Sequence, residues 1–355
     1  MNNIIINKIN TEENKLIINM RKNALRILNK SIIDIGSNKN QDDSIIFSAM
    51  CLQVVIELLI KNYVCRVYGF ENILNSKYKK IRKNNIGQYF SELKNFNIKT
   101  LGFNELKNFL SEKDDYFAGV INNGKSYLYS LEIQYDYLIG LFNKFQNIRN
   151  NFLHLGIDLR EEDINWIRDD FYVLIIYFIS TIINKNKQVD IFNELRQKDF
   201  YITSLDILIS NLSNEAQLVL YNDKKFEAEL GSIAEDLSNT NEVFKCSKCG
   251  KDTLALDIVD SGGQTKCLYC GLCLDAYYCK CVICNDDTIM YDELNMDNNN
   301  NVMPGYCYKC ERKLKVYKCP VCGKVYSYNF QHPIDFNWEC CKGNFVDRNI
   351  IGIDY

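Results

Sequence analysis

A mainly α-helical bundle followed by a small β-rich tandem zinc-ribbon module is the fold class that this sequence predicts, on three observations. All three prolines (Pro304, Pro320 and Pro333) lie beyond residue 300, so nothing interrupts long helices before them. Apolar residues recur at helical spacing through most of the first 185 positions. Fourteen of the 16 cysteines crowd between Cys246 and Cys341, mostly as Cys-x-x-Cys pairs. At 355 residues the chain has room for two or three cores. We divide it into a helical domain at 1–189, a helical connector at 190–240 and a cysteine-rich module at 241–355.

The periodicity predicts long helices over Leu16–Ile35, Ile45–Tyr68, Tyr127–Leu155 and Ile164–Ile183. The second is apolar around most of its circumference, as a central bundle helix must be. Asp42, Asp43 and Ser44 offer its amino-terminal caps and Gly69 its stop. Shorter helices are expected at Glu71–Arg82, Ile86–Phe96 and Asn104–Leu110, and Asp158 with Glu161 reads as a capping box for the helix that follows. The run Phe171–Ile183 is too short to span a bilayer and follows Asp169 and Asp170, so it reads as a buried helix and no membrane partner is expected. Amphipathic helices continue over Leu205–Leu212, Glu215–Tyr221 and Phe226–Leu237, up to a polar boundary at Ser238–Asn241. Beyond it the pattern changes to short β-prone pieces, with Asn298–Asn301 as a solvated loop.

A formal net charge of −3 provides no global attraction to nucleic acid, so any such binding must use local patches. The amino terminus has neither the basic start nor the apolar core of an export signal, and the expected location is cytoplasmic. There thiols stay reduced, and clustered cysteines point to metal rather than to disulfides. Cys51 and Cys65 sit apart from the cluster in apolar runs and read as inert buried thiols.

Cys246, Cys249, Cys267 and Cys270 form the clearest metal set. Each pair is a knuckle followed by a glycine, whose positive φ lets backbone N–H groups point at the sulfurs. A second set uses Cys281, Cys284, Cys307 and Cys310. A third starts at Cys319 and Cys322 and finishes with Cys340, Cys341 or both, with His332 as the alternative fourth ligand; Cys273 and Cys279 are left over and could replace an assigned ligand. Two or three Zn2+ per chain are therefore expected. Four protein ligands leave no place for water, so the ions would be structural and would supply folding free energy to modules too small for a sufficient core. Basic and tyrosine residues interleave from Tyr308 to Tyr328, which fits a nucleic-acid strand or a protein partner.

Arg149-Asn150-Asn151-Phe152-Leu153-His154 holds one of only two histidines and lies at the end of an apolar-periodic helix. A guanidinium matches phosphate geometry and an imidazole moves protons near neutral pH. With the upstream segment Leu52–Lys61, this stretch resembles the HEPN superfamily of helical bundles, many of which are ribonucleases. Their signature is an arginine, often followed by Asn, Asp or His, with a histidine four to six residues on. The resemblance spans residues 15–185 and implies a metal-independent endoribonuclease acting as a homodimer through the helical domain. It also implies a toxin, defence or RNA-processing setting. In that reading the RNA 2′-hydroxyl attacks the phosphodiester to give a 2′,3′-cyclic phosphate. His154 transfers the proton, Arg149 stabilises the charge on the phosphoryl oxygens, and Asn150 orients the phosphate. On a regular helix, positions five apart point about 140° from each other and lie about 7.5 Å apart in height, so Arg149 and His154 share one face only if the helix end distorts or two chains contribute; the homodimer that the resemblance implies agrees with this. Lys77, Lys79, Lys80, Arg82 and Lys83 form the basic cluster best placed to contact RNA. The alternative is a non-catalytic RNA- or nucleotide-binding scaffold with structural zinc.

Overall fold

Two long proline-free segments open the molecule. The computed structural model describes residues 2–37, 42–128, 131–134, 138–155, 161–191, 204–238, 241–246, 248–258, 264–275, 277–291, 301–320 and 322–328. Helix α1 spans Asn2–Ser37 and α2 spans Asp42–Tyr68, and the two pack on each other. α1 starts well before the expected Leu16 because its first turns have tertiary partners. Ile9 and Glu13 are buried, and the Glu13 carboxylate accepts from Tyr89 Oη at 2.7 Å and from Arg82 Nε at 3.0 Å. α2 ends where Gly69 takes a φ of 94°, with its N–H on Cys65 O. By length and composition α2 is apolar enough to cross a bilayer, yet Leu52, Val55, Ile56, Leu59 and Ile60 are all buried inside the helical unit.

Short capped helices follow. Asn75 accepts from Tyr78 N–H to start α3 (Ser76–Asn84), and Asn85 accepts from Gln88 N–H to start α4 (Ile86–Lys94). After α5 (Phe103–Lys113), Asp114 caps α6 (Asp115–Asn123) and also accepts from the Tyr63 hydroxyl at 2.6 Å. The expected helix from Tyr127 does not begin there. Gly124, at φ 68°, stops α6, and β1 (Lys125–Leu128) pairs antiparallel with β2 (Leu131–Gln134) before α7 (Leu138–Leu155) starts. The β-prone residues Tyr127 and Ile133 favour the hairpin that periodicity alone missed.

α8 (Glu161–Val173) runs through a π-helical turn at Leu174–Ile179 into α9 (Ser180–Ile191). Ser180 and Thr181 donate their hydroxyls back to the carbonyls of Ile176 and Tyr177, which supports the widened turn. Every residue from Phe171 to Ile183 is buried, as expected of a core helix. α10 (Ser204–Ser210), α11 (Asn214–Asn222) and α12 (Lys224–Leu237) match the three amphipathic segments. Asp223 ties them down: it accepts from Tyr172 Oη at 2.9 Å and from Lys225 N–H at 2.9 Å.

The chain divides into two compact units, Met1–Phe226 and Glu227–Tyr355. The segment 190–240 is thereby shared, with α10 and α11 in the first unit and nearly all of α12 in the second. Among the described residues, the second unit holds two antiparallel sheets. One is ordered β3 (Phe244–Lys245), β4 (Asp252–Ile258), β5 (Gln264–Cys267), β6 (Cys273–Asp275). The other comprises β7 (Tyr277–Cys279), β8 (Ile289–Tyr291), β9 (Val302–Cys307), β10 (Arg312–Lys318) and β11 (Val325–Tyr328), also in sequence order. Alternation along β8 serves two cores. Ile289 and Tyr291 join Met303, Leu314 and Val316, while Met290 joins Leu254, Leu256, Tyr306 and Tyr308. Gly231 on α12 lies so close to β4 that a Cβ would sit 2.9 Å from Asp252 O.

Candidate metal centres

Each quartet of cysteines is brought together by two turns that the sequence writes locally. In the first, Cys246 N–H donates to Lys251 O, Gly250 N–H donates to Cys246 O, and Gly250 takes a φ of 73°. The second turn repeats this design, with Cys267 N–H on Leu272 O, Gly271 N–H on Cys267 O and Gly271 at 69°. Strands β4 and β5 set the two turns side by side. The sulfurs of Cys246 and Cys270 lie 3.7 Å apart, as do those of Cys249 and Cys267.

The second quartet has the same architecture without the glycines. Asn285 and Glu311 occupy the left-handed positions, at φ 64° and 53°. Asn tolerates this conformation readily; glutamate does so at a cost that the ladder pair Cys307–Arg312 must hold. Here Cys281 and Cys310 are 3.9 Å apart and Cys284 and Cys307 are 3.7 Å apart.

In both quartets all four sulfurs fall within 4.8 Å of one another. A disulfide would need about 2.0 Å. A tetrahedral ion with metal–sulfur bonds of about 2.3 Å needs sulfur–sulfur edges of about 3.8 Å, so the residues fit a four-coordinate thiophilic ion. The four positions are filled by protein, leaving no open one for a reacting water.

Hydroxyl and amide donors surround these sulfurs. Thr253 Oγ1 lies 3.3 Å from Cys267 Sγ, and Thr288 Oγ1 lies 3.1 Å from Cys307 Sγ and 3.4 Å from Cys284 Sγ. Backbone N–H groups of Cys270, Ile283 and Cys310 point at Cys267, Cys281 and Cys307. Such donors disperse the net negative charge of a tetrathiolate site. Both threonines stand seven residues after the first cysteine of their quartet, and each accepts a backbone bond at its carbonyl from the residue after the third cysteine, Leu268 or Tyr308. That matched offset was the available signal for two residues that the sequence reading did not single out.

Without a metal, Cys249, Cys267 and Cys281 favour the protonated thiol. Burial pushes the Cys249 thiol up to about 12 and raises Cys281 as well. At Cys267 the hydrogen bond with Cys246 and then burial act in the same direction. Cys284 is the exception: burial opposes ionisation there, but hydrogen bonds from Thr288, the Asp286 backbone and neighbouring thiols outweigh it and bring the group down to about 6. One lysine accompanies each quartet. Lys251 pairs with Glu227, and Lys309 pairs with Asp286 at 2.6 Å.

The remaining candidate residues fall elsewhere. Cys319 and Cys322 form a knuckle of the same kind, with Cys319 N–H on Lys324 O and Gly323 at φ 71°. Its expected partners Cys340, Cys341 and His332 lie outside the described residues. Cys279 is buried in an apolar core beside Ile289 and Val316. Cys273 lies on β6, paired in register with Lys266.

In the helical unit, Arg149 and Asn150 are half-buried on α7. The Arg149 guanidinium is 3.7 Å from the carboxylate of Glu57 on α2, which also holds Lys61 at 2.6 Å. α7 remains helical through His154, so the backbone places positions 149 and 154 on faces about 140° apart. The His154 side chain lies outside the described residues. On α3, Lys79, Lys80 and Lys83 are exposed. Arg82 instead turns inward to Glu13, also approaching Glu71 at 3.6 Å. Comparison of the chain with protein-family models, curated proteins and solved structures gives no match.

Proposed function

We propose that both quartets bind structural Zn2+ in a module that serves a helical RNA-processing unit. The carrying observation is that in each quartet all four sulfurs lie within 4.8 Å of one another, with two edges at 3.7–3.9 Å. Zinc is the reduced-compartment metal best matched to four thiolates, and its d10 shell imposes no other geometry. The helical unit is read as an HEPN-type, metal-independent endoribonuclease, cytoplasmic and homodimeric, with the zinc module engaging RNA or a protein partner.

Arg149 and Asn150 support that reading by their partial exposure on one helix with His154. In the cleavage step the 2′-oxygen of RNA bonds to phosphorus and the 5′-oxygen leaves. A proton passes from the 2′-hydroxyl to a base and another reaches the departing oxygen. His154 serves in one of these transfers, and Arg149 with Asn150 holds the phosphoryl oxygens. Glu57 orients Arg149 from α2. Because a single α7 separates the two key positions, two copies of the motif from paired chains would line one cleft.

The test is RNA cleavage by zinc-loaded wild type and His154→Ala, with chemical identification of the ends. Cyclic-phosphate ends from wild type alone are expected. A specific observation favours the second reading, a non-catalytic binding scaffold: the Arg149–Glu57 ion pair gives the arginine a structural partner. In that case wild type would bind RNA without cutting it.

A further inference from the structure

Helix α4 ends in a turn that its residue type does not suit. Phe96 takes a φ of 56°, its N–H donates to Leu93 O at 3.3 Å, and Asn97 N–H donates to Glu92 O at 3.0 Å. This paired closure usually seats glycine at its left-handed position, because a Cβ there crowds the backbone. Inward packing could hold a phenylalanine in such a seat. Phe96 instead is 80% exposed, the most exposed large apolar side chain among the described residues. Exposure of a single apolar residue is common and would mean little alone. Here neither the backbone nor the core selects phenylalanine, which points to a role on the outside.

The surroundings are basic. From Ser76 to Thr100 the chain carries six lysines and Arg82 against a single acid, Glu92. Arg82 is occupied by Glu13. Lys79, Lys80, Lys83, Lys94 and Lys99 are exposed and have no ion pair among the described residues. The turn is tied to α3: Tyr78 Oη donates to Asn97 O at 2.6 Å, and Asn75 N–H donates to Lys99 O at 3.2 Å. Lys77 lies 5.5 Å from the Tyr78 ring, so one tyrosine joins a lysine to the strained turn. Asn95 and Asn97 precede and follow Phe96, and both are exposed. Lysines supply phosphate contacts, an exposed aromatic supplies a stacking face, and amides can bond base edges. The same amides disfavour a lipid surface, where they would lose their water.

We propose that Phe96 stacks on one unpaired base of single-stranded RNA, with Lys77, Lys94 and Lys99 on the neighbouring phosphates. This rests on reading the chain as an RNA-processing protein, but it uses none of Arg149, Asn150 and His154. The test is fluorescence anisotropy of the full, zinc-loaded chain with a short labelled 2′-O-methyl oligoribonucleotide, as a single strand and as a duplex. Without a free 2′-hydroxyl the probe cannot be cut by the proposed step, so binding is read apart from cleavage. The single strand should bind at least about tenfold more tightly than the duplex, whose bases are not free to stack. Phe96→Gly should weaken the single strand by about tenfold, the value of one stacked base. It should also raise the unfolding midpoint by relieving the turn, which a merely structural phenylalanine would not do. Lys94→Gln and Lys99→Gln should each lower the salt dependence, by about 0.7 in the slope of log affinity against log salt. An affinity unchanged by Phe96→Gly, or a duplex bound as tightly as the single strand, would overturn the proposal. So would phosphatidylserine vesicles captured through Phe96 while the oligonucleotide is ignored. Phe96-dependent binding with no cleavage of natural RNA would support this site and contradict the nuclease reading.

Discussion

Cys249 and Cys284 illustrate what a single residue decides in this molecule. Each supplies one corner of a sulfur quartet, so replacing either with serine removes a quarter of one ligand set. We predict that Cys249→Ser loses one zinc per chain while the second quartet keeps its own, as read by elemental analysis of the purified protein. Protons compete at the same atoms. Burial keeps the metal-free Cys249 thiol protonated up to about 12, so at lower pH the ion must displace that proton. Zinc affinity should therefore rise with pH, by about tenfold per unit for each proton displaced. Competition with a chromophoric chelator at two pH values checks the sign; a flat response would mean that the thiols are already ionised. The knuckle cysteines were legible because Cys-x-x-Cys-Gly states both ligands and the turn. Asn285 and Glu311 were not legible as turn residues, since nothing local marks a non-glycine held at positive φ. Arg82 was grouped with its basic neighbours, and its engagement with Glu13 depends on a residue 69 positions away.

Strands and helices carry their own constraints. Gly305 on β9 sits between β8 and β10, where a Cβ would lie 2.5 Å from Val316 Cγ2 and 2.9 Å from Ile289 Cγ2. Gly305→Ala should destabilise the module by about 1–3 kcal/mol through overpacking, measured as a lower unfolding midpoint with the metal content unchanged. Gly231→Ala meets backbone rather than a side chain, at Asp252 O, and should loosen α12 from β4 by a similar amount. Long periodic helices were readable in sequence because one face repeats every three to four residues. The β1–β2 hairpin was not: its four-residue strands are shorter than a helical repeat can exclude, and the cue was Gly124 closing α6. The π-helical turn at Leu174–Ile179 was equally hidden, since an all-apolar run has no phase from which a widened turn can be read.

At the scale of the whole molecule, the two units differ in what holds them. The first buries a large apolar core around α2 and the run from Phe171 to Ile183, with Phe145, Phe171 and Phe178 fully enclosed. The second has small cores in which the cysteines are themselves members. Metal removal should therefore unfold the second unit and spare the first. Limited proteolysis with and without a strong chelator checks this: cleavage should concentrate beyond Glu227 while a fragment near residues 1–226 survives. The change of fold class along the chain was plain from the last proline-free stretch and the onset of cysteines. The place of division was not, because α12 continues the helical pattern into the second unit. The most direct measurement is the metal count of the purified chain by native mass spectrometry, with the element identified. At least two zinc ions per chain are predicted, released only on denaturation or chelation; one ion or none in well-folded protein would contradict the assignment of the two quartets.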